Sequence, residues 1–281
     1  MSVFVSIAFV LLPLLQGIQS FGPAAKKTIT VLSTYSVGPR LYRHPYSRTL
    51  YCSTLFNLTG HWIVLQSKLV VTKNFDCGFT RYIPDPKKMG DGGANEFQQP
   101  VIEVRNGATL SNCIIGAKEG FKAADGVHCE GSCTLKNVWH EKVGEDAVTF
   151  LGTNPNNVYI IEGGGAINAN GKVIQFNGAG TAKINNFYIK DCTYGIASCG
   201  NCLAQFSRRI EVTNLKVENL KAGQFIVAVN SNFNDQAILK NIHILGKSAK
   251  QVFPCKIFNG VKGNGNFKLV KMGGRWKTLQ I

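Results

Sequence analysis

Acid is scarce in this chain. Sixteen Asp and Glu face 31 Lys and Arg, leaving a formal net charge of +15 over 281 residues. A surface of that sign repels acceptors of positive charge and attracts polyanions: nucleic acid, anionic lipid or an acidic polymer. Long apolar patterns of helical period are also lacking. With 30 glycines, that argues against a helical bundle and for a turn-rich β protein. Beyond the first 20 residues no apolar run is long enough to span a bilayer, so a membrane partner is not expected.

What is present begins with that first run. Val3 to Leu15 is almost wholly apolar, and Gly17-Ile-Gln-Ser20 ends in small residues suited to cleavage. Residues 1–20 therefore read as a signal peptide, although no Lys or Arg precedes the run. The expected location is secreted and extracellular, with residues 21–281 as one domain. Secretion makes the nine cysteines disulfide partners, with one left over. Cys129 with Cys133, and Cys199 with Cys202, are spaced to close tight local loops. His128 with the same four cysteines imitates a zinc site, a reading that needs a reducing compartment.

The segment 37–66 differs from its surroundings. It is rich in Arg, Tyr and His (Arg40, Tyr42, Arg43, His44, Tyr46, Arg48), contains Cys52 and carries the glycosylation sequon Asn57-Leu-Thr59. It reads as an inserted loop or a gene-model artefact. Its basic and aromatic residues also admit nucleic-acid binding, but a solvated face explains them as well and no nucleic-acid partner is expected.

A repeat emerges further on. Thr109-Leu-Ser-Asn-Cys-Ile-Ile115 is matched by Thr134-Leu-Lys-Asn-Val-Trp-His140, Lys183-Ile-Asn-Asn-Phe-Tyr-Ile189, Glu211-Val-Thr-Asn-Leu-Lys-Val217 and Ile238-Leu-Lys-Asn-Ile-His-Ile244. The asparagines stand at 112, 137, 186, 214 and 241, giving steps of 25, 49, 28 and 27. The step of 49 is nearly two of the others, and Asn157 is available to fill the gap. Such a period with short strands predicts a solenoid. Leucine is too infrequent for leucine-rich repeats. Parallel β-helix coils, which bury a continuous core and stack Asn side chains, fit better than a β-sandwich with coincidental spacing.

Within the repeat lie Asp125, Glu145 and Asp146, hard oxygen donors suited to Ca²⁺. The 20 residues from Asp125 to Glu145 are close to one coil, which would bring them together on neighbouring turns. Taken alone, Glu145-Asp146 is equally a solvated turn and Lys172 one lysine of many.

The motifs Gly90-Asp-Gly-Gly93 with Glu96, Asp125-Gly-Val-His-Cys129, Val143-Gly-Glu-Asp-Ala147, Gly163-Gly-Gly-Ala166, Lys172-Val-Ile-Gln175 and Ser198-Cys-Gly-Asn-Cys202 stand in an order that resembles the polysaccharide lyase family 3 pectate lyases. The resemblance runs from about Asn74 to the C-terminus. It implies an all-β, single-domain, right-handed parallel β-helix, acting as a monomer. It implies Ca²⁺ as cofactor and polygalacturonate, an acidic polysaccharide of plant cell walls, as substrate, cleaved by β-elimination. It assigns Asp125, Glu145 and Asp146 as calcium ligands, Lys172 as the base and Glu96 as the acid. Where the family has a further lysine and an arginine, this chain has Tyr194 and Ala197, and it has Gly171 in place of an aspartate. Two readings therefore stay open: a pectate lyase, with activity intact or reduced, and a calcium-dependent pectin-binding effector without catalysis. Lys190, Arg208 and Arg209 are candidates to replace the missing cations.

Overall fold

The structure is a computed structural model that describes residues 29–31, 62–93, 98–105, 107–263 and 265–273. The signal segment 1–20, Cys52 and the Asn57 sequon lie outside the described residues. Of the segment 37–66, residues 62–66 are described, and Trp62–Leu65 is a strand paired in parallel with Arg81–Pro84.

The chain winds as a parallel β-helix with two long sheets. The first runs from Trp62–Leu65 through Arg81–Pro84, Ile114–Ile115, Cys133–His140, Val158–Ile167, Gly180–Asn185 and Arg208–Glu218 to Gln236–Leu245, with Ile29–Val31 beyond it. The second runs from Leu69–Val71 through Pro100–Val104, Asp125–Cys129, Val148–Phe150, Lys172–Phe176, Tyr194–Ser198 and Phe225–Asn230 to Phe253–Asn259. All these neighbours are parallel; Lys268–Met272 closes the second sheet by adding antiparallel. The Pro84-Asp85-Pro86 stretch starts a one-turn helix, Pro86–Met89. Asp85 caps it by accepting a hydrogen bond from the Lys87 amide at 2.9 Å.

Why the chain coils is visible in its corners. Asn112, Asn137, Asn186, Asn214 and Asn241 all have left-handed φ, between 50° and 55°. Asn tolerates this conformation better than other non-glycine residues because its short amide bonds locally. The same amides tie coil to coil. Asn137 Nδ2 donates to Asn112 Oδ1 at 3.0 Å, Asn214 Nδ2 to Asn185 Oδ1 at 3.0 Å, and Asn241 to Asn214.

In the coil between Asn137 and Asn186 the expected occupant, Asn157, is elsewhere. It sits at the start of a strand, where its Nδ2 lies 3.2 Å from the Tyr159 hydroxyl. The corner itself is Gly163 (φ +69°), and the neighbouring Glu162 carboxylate accepts from Asn185 and Asn186. Glycine supplies the backbone conformation and glutamate the hydrogen bonds, two jobs that one asparagine does in the other coils.

Inside, aliphatic columns stack from coil to coil, and Phe150, Tyr159 and Phe176 form one aromatic cluster with centroids 4.3 to 5.4 Å apart. Three disulfides join Cys77 to Cys113, Cys129 to Cys133 and Cys199 to Cys202. Both anticipated local pairs form. Among the described residues two thiols, Cys192 and Cys255, are buried and unpaired, where a single leftover was expected. The zinc alternative fails on register. Cys129 and Ser198 are separated by the strands containing Phe150 and Phe176, roughly 14 Å at ordinary strand spacing. Its cysteines are moreover consumed in two separate disulfides.

Candidate active site

One edge of the second sheet carries the acidic constellation. Asp125 opens Asp125–Cys129, and Asp146 lies two residues before Val148–Phe150. Because Val127 and Val148 are paired, Asp125 and Asp146 occupy equivalent places on neighbouring coils. Lys172, first in Lys172–Phe176, follows on the next coil and is paired with Tyr194 on the coil after that. Asp125, Asp146, Lys172 and Tyr194 thus form one column along the solenoid axis. The column partner of Asp125 is Asp146, one residue beyond the position that the 20-residue step suggested, with Glu145 beside it.

The three carboxylates are buried, at 5–6 % exposure. The Asp146 amide approaches Asp125 Oδ1 at 3.5 Å, and the Lys172 amide donates to Asp146 Oδ1 at 2.6 Å. His128 Nε2 lies 3.2 Å from Asp125 Oδ2. The Lys172 ammonium reaches between two acids, 3.4 Å from Glu145 and 3.6 Å from Asp146. Burial pushes the Asp146 pKa up to about 7, the Lys172 charge and its amide oppose that rise, and the Glu145 and Asp125 charges add to it. A rise of this size corresponds to roughly 4 kcal/mol against ionisation. Lys172 brings a single positive charge to a cluster of three buried acids.

That excess is the chemistry of a cation site: oxygen donors only, crowded and undercompensated. Among the described residues no three His, Cys, Asp or Glu side chains converge as a ready coordination shell; instead, the Lys172 ammonium bonds to two of the acids. The donor set fits a hard divalent ion provided the flexible lysine yields its contacts.

The backbone around the cluster is tight. A Cβ on Gly171 would lie 2.3 Å from the Glu145 carbonyl and 2.7 Å from Asp146 Oδ1, so the aspartate expected there would collide with the acidic turn. Nearby, Lys122 Nζ donates to Asn170 Oδ1 at 2.6 Å and to the Asn168 carbonyl at 3.1 Å, bracing the turn that leads into Lys172. The loop at 90–93 leans on the same region, with Gly92 donating to the buried Gln98 side chain at 3.0 Å. Glu96 lies outside the described residues.

None of the three cations Lys190, Arg208 and Arg209 stands in the Lys172 column. Lys190 pairs with Glu218 at 3.6 Å and Arg209 with Glu211 at 2.6 Å. Arg208 is 1 % exposed. It donates to the Gly178 and Asn177 carbonyls at 2.9 Å and faces Asp235 at 3.7 Å. Its role is to hold coils together, and it is in no position to clamp a ligand. Tyr194 sits half-buried directly beyond Lys172, and Ala197, 8 % exposed, is paired with Gln175. Sequence reasoning named His128 only as part of a zinc set and missed its contact with Asp125, for which the i, i+3 spacing was a signal; it missed Lys122 altogether, because only the fold brings that lysine to Asn170.

The family model "Pectate lyase" matches residues 54–265. A probable pectate lyase F of Aspergillus fumigatus is 37 % identical over 190 residues, covering 68 % of this chain and 76 % of the fungal protein. Among solved structures, the catalytic domain of pectate lyase PelI from Erwinia chrysanthemi aligns at 27 % identity and a TM-score of 0.58, covering 77 % of this chain and 94 % of that one. PelI in complex with tetragalacturonic acid aligns at 28 % identity and a TM-score of 0.56, covering 76 % of this chain and 65 % of that one.

Proposed function

The chain belongs to the pectate lyase family, and from that premise we propose that it is a secreted, calcium-dependent lyase that cleaves polygalacturonate by β-elimination. The observation that carries the proposal is the buried column of Asp125, Asp146 and Lys172, with Glu145 at its side. Three disulfides among the described residues support an oxidising compartment. The relative bound to tetragalacturonic acid supports the substrate class.

In β-elimination a base removes the proton from C5 of a uronate. The electron pair becomes the C4–C5 double bond, the C4–O bond breaks, and the departing oxygen takes up a proton. Asp125, Glu145 and Asp146 would hold calcium, whose contribution when bound is to neutralise the uronate carboxylate and so stabilise charge developing next to C5. Lys172 would take the C5 proton. A cation held by Glu145 and Asp146 would displace the Lys172 amine from those two acids and leave it to face the substrate. The backbone bond from Lys172 to Asp146 fixes where that amine starts. Glu96 would protonate the leaving oxygen. The basic surface draws the polyanion in.

Purified protein given polygalacturonate and calcium should form the unsaturated product, read by its ultraviolet absorbance. Lys172→Ala should abolish it while still folding. Product formation that survives this substitution would remove Lys172 from the role of base.

A further inference from the structure

Beyond Lys172 the column continues, and its chemistry changes from ionic to aromatic. Lys172 is paired with Tyr194, the Tyr194 ring stacks on Phe225 with centroids 5.7 Å apart and planes at 27°, and Phe225 is paired with Phe253. Three residues further along these strands, Ala197, Ala228 and Lys256 stand in register on the same three coils. The two alanines are buried with Phe225 and put only small side chains beside the rings. The Lys256 ammonium closes the far end of this stripe, 5.8 Å from the Phe225 centroid and 5.5 Å from that of Phe253.

The parts of this stripe differ in what they can do. Phe225 and Phe253 are 7 % and 8 % exposed, so they form its floor, whereas Tyr194 is half-buried and presents ring surface. Lys256 is in no ion pair with a carboxylate among the described residues, and partial burial holds its pKa below the ordinary lysine value. A cation stripped of some water and set against ring faces, with no carboxylate paired to it among the described residues, attracts an anion strongly. From the Lys172 strand to the Lys256 strand is three coils, about 14 Å at ordinary strand spacing. That is the reach of an oligomer lying along the axis.

We infer that Tyr194 and Lys256 form a second sugar-binding position of the site: one uronate ring of an oligogalacturonate stacks on Tyr194, and the carboxylate of a residue further along pairs with Lys256. This rests on the polygalacturonate reading above and adds the direction in which the polymer runs. Apolar sugar faces favour aromatic rings, and an acidic polymer matches a stripe that ends in an unpaired ammonium. A neutral polysaccharide would use the ring but gain nothing from Lys256.

The test is calorimetric binding of tetragalacturonate and polygalacturonate, with calcium present, to the intact protein and to Tyr194→Leu, Tyr194→Phe and Lys256→Gln. Loss of the ring or of the ammonium should each weaken binding about tenfold, while Tyr194→Phe, which keeps the ring, should stay within about twofold. In turnover the same losses should raise KM more than they lower kcat. Unchanged affinity in both Tyr194→Leu and Lys256→Gln, with the wild type binding normally, overturns the inference and leaves the functional reading standing. Equal wild-type affinity for a neutral galactan overturns the choice of an acidic occupant. A folded wild type that binds no polygalacturonate defeats the functional reading first, and this inference with it. Should Tyr194→Leu fail to fold, Lys256→Gln, altering a partly exposed side chain, decides the matter.

Discussion

Replacing Lys172 by Met separates catalysis from cation binding. The lysine ammonium occupies oxygens of Glu145 and Asp146, at 3.4 and 3.6 Å, that a bound cation would also use. A charge-assisted contact of this kind is worth roughly 1.5–3 kcal/mol, and any incoming cation must displace it. Lys172→Met removes the competitor, so calcium affinity should rise about tenfold or more, one tenfold step corresponding to about 1.4 kcal/mol. In chelator the same variant should lose about 2–3 kcal/mol of stability, because the buried Glu145 and Asp146 lose the Lys172 ammonium. Added calcium should restore that loss. Turnover should fall by about two to four orders of magnitude, the usual contribution of a positioned general base. Calcium titration by calorimetry, thermal melts with and without chelator and the ultraviolet product assay read the three effects. Weaker calcium binding in Lys172→Met, or cleavage at the wild-type rate, would refute the reasoning.

Further outcomes follow from other parts of the structure. Arg208→Met strands Asp235, which is 0 % exposed, and should cost about 3–5 kcal/mol and lower Tm by roughly 10 °C without a selective rise in KM; a stable variant with impaired substrate binding would make Arg208 a clamp after all. Asn137→Ala should destabilise by about 2 kcal/mol through loss of the bond to Asn112 and strain at φ 54°, and Asn137→Gly by less; denaturant melts showing the reverse order would break the corner argument. His140 is buried, neither ring nitrogen has a hydrogen-bond partner among the described residues, and burial lowers its pKa to about 3. Between the ordinary 6.5 and about 3 the unfolded chain binds the extra proton, so stability present above pH 6.5 is lost as pH falls through that window. His140→Leu should flatten this part of the Tm-against-pH curve, and an unchanged slope would show that His140 is not its source.

The fold was legible in the sequence because each coil has to turn a corner. Asparagine is one of few residues that make that turn and also bond to the next coil, so five of them mark the period. The break came where the two duties were divided between Glu162 and Gly163, which no search for asparagine could find. The acidic motifs were legible in the same way, and the structure gathers Asp125, Glu145, Asp146 and Lys172 at one place. The stripe of Tyr194, Phe225 and Phe253 was not legible, since the loops between its coils differ in length and the residues are 31 and 28 apart. Arg208 misled for a related reason: a basic residue reads as exposed until the fold shows Asp235 and two carbonyls around it.

The central claim is calcium-dependent elimination, and the most direct measurement is the ultraviolet product assay on polygalacturonate at alkaline pH, run with calcium and with chelator. The account predicts unsaturated product with calcium and none with chelator. A folded, calcium-replete protein that binds polygalacturonate and forms no product would contradict it and leave a binding protein that has lost the reaction.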